Sequence, residues 1–150
     1  MLDDLKRLAA RLGISGRVQS LGRVERGKIP ELLLSCDASA ILNASDDPMN
    51  WIGNPNKLYE SMVLGLPVIA SEFGEIAKIV RQAQCGLLVN PDNVESVAAA
   101  IRRLASSREL RETFSRNARE AMKKMYTWEN LSSTFIQAIE GLFRKTSKAA

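Results

Sequence analysis

The chain has 150 residues, 45% hydrophobic and 25% charged, which is ordinary globular usage and argues against disordered and fibrous classes. That length suits one domain with a single core. The net charge of +4 is uneven: residues 1–100 carry 10 basic and 12 acidic side chains, residues 101–150 carry 11 and 5.

The apolar runs are short pieces such as Leu32 to Leu34, far below the roughly 20 residues that span a bilayer. The opening Met1-Leu2-Asp3-Asp4 is acidic where a secretory signal needs bases. Cys36 and Cys85 make neither a metal-ligand spacing nor a disulfide framework, so a cytoplasmic chain with reduced thiols and no bound metal is expected. Aromatic residues are 5% of the chain and do not interleave with the bases, so no nucleic-acid partner is expected. The basic C-terminal third suits a peripheral position on an anionic inner membrane face; its plainer reading is a solvated helix face with a lysine-bearing tail.

In chain order, Leu2, Leu5, Leu8, Ala9 and Leu12 share one helical face, and Gly13 closes that helix. Residues 17–22 read as a strand. Pro30 suits the first turn of a short helix reaching about Cys36. Residues 38–43 read as a strand and 43–53 as a polar loop. Asn54-Pro55 suits a cap and first turn for a helix ending at Gly65. Residues 67–71 form a buried-type strand, 74–83 a helix and 86–89 another strand. From Asp92 onward the pattern is helical. Asp92 with Glu95 resembles a capping box, and Val94, Val97, Ala98, Ile101, Leu104 and Ala105 form an inward stripe. Ser107 caps a second helix with Leu110, Phe114, Ala118, Ala121, Met122 and Met125 inward. Thr127 caps a third, with Trp128, Leu131, Phe135, Ile139 and Leu142 inward and a tail fraying from about Lys145. Strands alternating with helices predict a parallel α/β sheet followed by three helices.

The stretch from Asn54 to Ser71 carries the chemistry. A loop leaves the carboxyl end of one strand and enters a helix at Pro55, the side on which open parallel sheets bind ligands. The helix start offers unpaired N–H groups and a positive dipole end that suit a phosphate. Lys57 adds a positive charge in the first turn, and Glu60 can accept from ribose hydroxyls. The plain alternative is a surface i, i+3 ion pair contributing about 0.2–0.5 kcal/mol.

The residue order favours the site. Pro55-x-Lys57-x-x-Glu60-x-Met62, followed by Gly65, Pro67, Val68 and Ile69, resembles the donor-binding motif of retaining GT-B glycosyltransferases of the group 1 class. Residues 86–92 resemble that family's glycine-led strand and turn, Tyr126-Thr127-Trp128 its aromatic pair, and residues 17–22 and 38–45 its two preceding strands. The resemblance implies a Rossmann-like sheet, retaining and metal-independent transfer without a cofactor, and a nucleoside-diphosphate sugar as donor. It implies that Glu60 holds the donor ribose, that the Asn56 and Lys57 amides with Gly53 meet the diphosphate, and that Arg23 and Val24 lie against the base. Ile52 stands where many members carry the sugar-facing glutamate, which leaves Asp46, Asp47, Asn50 or Trp51 of the same loop to face the sugar.

The four strands legible here match the third to sixth of the family's six, ordered 3-2-1-4-5-6. Residues 1–150 therefore read as one domain, the donor half, truncated on its N-terminal side and lacking the first two strands and the acceptor domain. Alone it is expected to be inactive, marginally stable or oligomeric. A non-catalytic nucleotide-sugar module, or a subunit of a split enzyme, is the second reading, which nucleotide titration combined with a transfer assay separates from the first. A GT-B-type sugar-nucleotide epimerase is the third, and it lacks acid–base groups in this chain.

Overall fold

The computed structural model describes residues 2–53 and 55–146. Helices α1 (Leu2–Arg11) and α2 (Ile29–Leu34) come first, then strand β1 (Ser39–Ile41). Helices α3 (Met49–Ile52) and α4 (Asn56–Leu64) lead to strand β2 (Val68–Ser71). Helix α5 (Gly74–Ala83) leads to strand β3 (Gly86–Val89), followed by α6 (Val94–Ser106), α7 (Arg108–Met125) and α8 (Trp128–Thr146).

The strands form one parallel sheet in the order β1-β2-β3, with Ala40 opposite Ile69 and Ile69 opposite Leu87. Parallel neighbours need a crossover, and α4 and α5 supply the two. Strand side chains alternate between faces, so Val68 and Ala70 join one core while Ile69 joins another. The larger core packs Leu58 and Met62 of α4, Ile76 and Val80 of α5, and Ala118 and Ala121 of α7 on one face of the sheet. Ala100 and Leu104 of α6 cover the other face through Ile69 and Val89. A central strand buried on both faces reads as a continuous apolar run, which is why Val68 to Ala70 stood out in the sequence.

Several expectations need correction. Residues 17–22 form no strand: Ser15–Arg17 is a single 3-10 turn and the following residues pair with no strand. Val18 does have extended dihedrals, φ −118° and ψ 117°, but no described segment runs alongside it to complete a ladder. The loop 43–53 contains the short helix α3. The cap of α6 is Asn93, whose side chain accepts from the Ser96 amide at 3.1 Å, and not Asp92. Within α6, Val94 and Ile101 are exposed. Of the apolar stripe of α1 only Ala9 is buried, while Leu5, Leu8 and Leu12 are exposed, and the stripe of α8 does not face the core either, for Trp128, Leu131, Phe135 and Ile139 are all exposed. The Ser107 and Thr127 caps are present, accepting from Leu110 and Asn130. Backbone helix continues through Lys145 to Thr146. The Asn54 cap and the side chains of Leu2 and Leu142 lie outside the described residues.

Candidate nucleotide site

Three loops meet at the carboxyl edge of the sheet. The buried Ser71 hydroxyl, at the end of β2, accepts from the Asn43 amide at 2.8 Å and donates to the Asn43 carbonyl at 3.1 Å. The Glu72 amide donates to the Val89 carbonyl at 2.9 Å. Ser45 donates to Asp92 Oδ2 at 2.6 Å, tying the loop after β1 to the turn after β3. The edge is thus a connected ledge, the side on which open α/β sheets bind ligands.

Helix α4 starts at that ledge. Leu58, Ser61 and Met62 are buried, so Asn56, Lys57, Glu60 and Val63 lie on the side turned away from the core. Pro55 precedes the helix with φ −73° and ψ 125°, and among the described residues no side chain caps its first amides. Asn56 and Lys57 are exposed in that first turn. First-turn amides carry donors and the positive end of the helix dipole, which suit an anion.

Glu60 is half-buried and lines a cavity of about 160 Å³ with Arg26, Ile29, Pro30, Leu33, Val63 and Leu64. Its carboxylate has no salt-bridge or hydrogen-bond partner among the described residues, and Lys57 does not pair with it. The surface ion-pair reading therefore has no support. The cavity lies where α4 meets α2 and the 3-10 turn Arg26–Lys28. Arg23 is exposed in the bend before that turn. Val24 is half-buried and lines a different, open cavity of about 430 Å³ with Leu21, Lys28, Glu31, Leu32 and Ser35. Arg26, which the sequence reading passed over, is the base that shares a cavity with Glu60. The signal was its place just before the Ile29-Pro30 helix start, where a side chain reaches across to a neighbouring helix.

The loop 43–53 spends much of its polarity on itself. Asp47 Oδ1 accepts from the Met49 amide at 2.9 Å, Asn50 Nδ2 donates to the Ala44 carbonyl at 3.0 Å, and Trp51 Nε1 donates to the Ser45 carbonyl at 3.0 Å. Gly53 ends α3 with its amide on the Met49 carbonyl at 2.7 Å. Asp46 is exposed, and Ile52 is 69% exposed. Among the described residues no group of three His, Cys, Asp or Glu side chains could hold a metal. No described helix is long and apolar enough to cross a membrane.

A parallel α/β sheet with helices on both faces, and a helix that starts at its carboxyl edge, defines the class: a Rossmann-like α/β domain. The chain belongs to the family described as glycosyl transferases group 1, whose model matches residues 1–121. It is 28% identical over 132 residues to a Methanocaldococcus jannaschii protein described as an uncharacterized glycosyltransferase, covering 88% of this chain and 32% of that one. It is 28% identical over 137 residues to the MMP alpha-(1->4)-mannosyltransferase of Mycolicibacterium hassiacum, covering 90% and 32%. Among solved structures it resembles the Anabaena protein HepE in complex with UDP and glucose, with TM-score 0.79, 23% identity, and 93% and 36% of the two chains covered. The chain spans about a third of the length of the curated relatives it matches. The Rossmann-like α/β fold expected from the resemblance is the one observed.

Proposed function

We propose that this chain binds the nucleoside-diphosphate-sugar donor of a glycosyltransferase. The observation that carries this is Glu60: half-buried, without a partner among the described residues, in a cavity shared with Arg26, one turn beyond a helix start that presents Lys57. The first-turn amides of Asn56 and Lys57, near Gly53, meet the diphosphate. Glu60 accepts from the ribose hydroxyls, and Arg26 with the Arg23–Val24 segment flanks the base. The exposed Asp46 carboxylate, without a partner among the described residues, faces the sugar from the loop.

In the reaction the glycosyl carbon–oxygen bond to the diphosphate breaks and one to an acceptor hydroxyl forms, with the nucleoside diphosphate leaving. We place this as retaining transfer with no metal or organic cofactor, to a saccharide or lipid-linked acceptor. The mannosyltransferase relative and the UDP and glucose held by HepE support a sugar-nucleotide donor. Catalysis needs donor and acceptor held together with water excluded, so residues 1–150 alone are expected to bind without turnover. A cytoplasmic position against the inner membrane face, an acceptor-binding region and a second copy covering exposed apolar faces belong to the same proposal. The exposed Ile52, which offers a sugar no hydrogen bond, favours one alternative: a module that binds the donor without transferring it.

Isothermal titration with UDP and with GDP tests the reading. Binding of either is the expected result, and a chain that binds neither contradicts it.

A further inference from the structure

Trp51 sits in the loop that the sequence assigns to the donor sugar, yet its polar edge turns back on the loop, with Nε1 on the Ser45 carbonyl at 3.0 Å. Its ring stacks on Phe73, with centroids 4.7 Å apart and planes at 30°. Phe73 immediately precedes α5, whose Ile76, Ala77, Ile79 and Val80 are buried in the main core. The end of α3 presses against the start of α5 closely enough that a Cβ on Gly74 would stand 2.7 Å from the Trp51 carbonyl oxygen and 2.9 Å from that of Asn50. The chain then turns at Gly53, where a Cβ would meet the Met49 carbonyl oxygen at 2.6 Å, and enters α4 two residues after Asn54.

We infer that Trp51 is a positioning residue: its stack on Phe73 fixes α3 to the core and thereby aims the first turn of α4, without touching the sugar. Only residues 53–55 separate α3 from α4, so the first turn of α4 takes its place in part from the segment before it. The indole couples that segment to a helix that cannot move without opening the core. Hydrogen bonds from these amides weaken steeply with distance and angle, so a modest shift of this turn is enough to register in binding. The inference rests on the nucleotide reading of α4.

The test is a binding series on the 150-residue chain with UDP and GDP, and with the sugar-bearing form of whichever binds. Trp51→Ala and Phe73→Ala should each weaken the sugar-free diphosphate about tenfold. Trp51→Phe, which keeps the stack and loses the N–H, should stay within about twofold, and the double alanine variant should be no weaker than either single one, as a shared contact requires. Should Trp51→Ala not fold, Phe73→Leu carries the same comparison. A loss confined to the sugar-bearing ligand, or unchanged binding in Phe73→Ala, overturns the inference and makes Trp51 a sugar contact or a bystander. Wild-type protein that binds neither diphosphate removes the nucleotide reading and this inference with it, whereas wild-type binding with unchanged Trp51→Ala removes the inference alone.

Discussion

The Arg119 guanidinium of α7 donates to the Leu64 carbonyl at 2.9 Å, closing the last turn of α4 from outside the helix. Gly65 follows with φ +76°, a left-handed cap, and a Cβ there would stand 2.6 Å from Arg119 Cζ. Gly65→Ala therefore costs about 1–2 kcal/mol in backbone strain and displaces the Arg119 hydrogen bond, itself contributing about 1 kcal/mol. Urea unfolding should show Gly65→Ala losing about 2–3 kcal/mol, with Gly65→Ala/Arg119→Ala losing less than the sum of the singles. Additive losses would mean that the two residues do not share the site.

Gly86 faces Val68 across β2 and β3, and a Cβ there would stand 2.7 Å from the Val68 carbonyl carbon. Backbone in a paired strand cannot yield as a flexible arginine tip can. Gly86→Ala should cost more than Gly65→Ala, above about 3 kcal/mol, or abolish soluble folding. A wild-type urea midpoint in this variant would contradict the β2–β3 register.

Burial raises the Cys85 thiol from 9.0 to about 11. The folded state thus holds this proton more tightly than the unfolded state. The associated stability is complete below about pH 9 and is lost as pH rises toward 11, by roughly 2–3 kcal/mol. Tyr126 is raised too, by burial first and then by Tyr59 and Cys85, and its effect has the same sign. Cys85→Ala should lower stability at pH 8 but flatten its decline between pH 9 and 11. At pH 8 a thiol reagent should label the exposed Cys36 quickly and Cys85 only on unfolding.

The exposed stripe of α8 gives a contrast within one chain. Leu131→Gln and Phe135→Gln, at 48% and 56% exposure, should change stability by no more than about 0.5 kcal/mol. Leu58→Ala, fully buried under the sheet, should cost about 2–5 kcal/mol. Equal losses at the two places would put α8 in the core.

These cases show which features local sequence carries. Pro55 and Gly65 bracket α4, and residues 74–83 and 86–89 lie where periodicity and glycines put them, because those signals act within a turn or a strand. The 17–22 segment has strand composition, but a strand is a property of a pair, and Val18 and Leu21 stay exposed without one. Asp92 and Asn93 are equally good caps by composition. Asp92 is occupied by Ser45, 47 positions away, and no local rule sees that bond. An amphipathic stripe on α1 or α8 announces a partner without saying that the partner lies in the same chain. Helix α3 was legible in principle, from Asp47-Pro48 as an aspartate turn followed by a fixed φ. At the site, the Lys57–Glu60 spacing showed the helix face but not what lay opposite, so Arg26 went unread.

The ribose role of Glu60 is the most direct point at which to test the account. Titrate UDP and its 2′,3′-dideoxy analogue, or the GDP pair if GDP is the ligand, into wild-type protein and Glu60→Ala. Wild-type protein should prefer the ribonucleotide, Glu60→Ala should bind it more weakly by about 1–3 kcal/mol, and the variant should no longer distinguish the two. Unchanged affinity in Glu60→Ala, or a preference for the ribonucleotide that survives the substitution, would contradict the assignment of this carboxylate to the ribose.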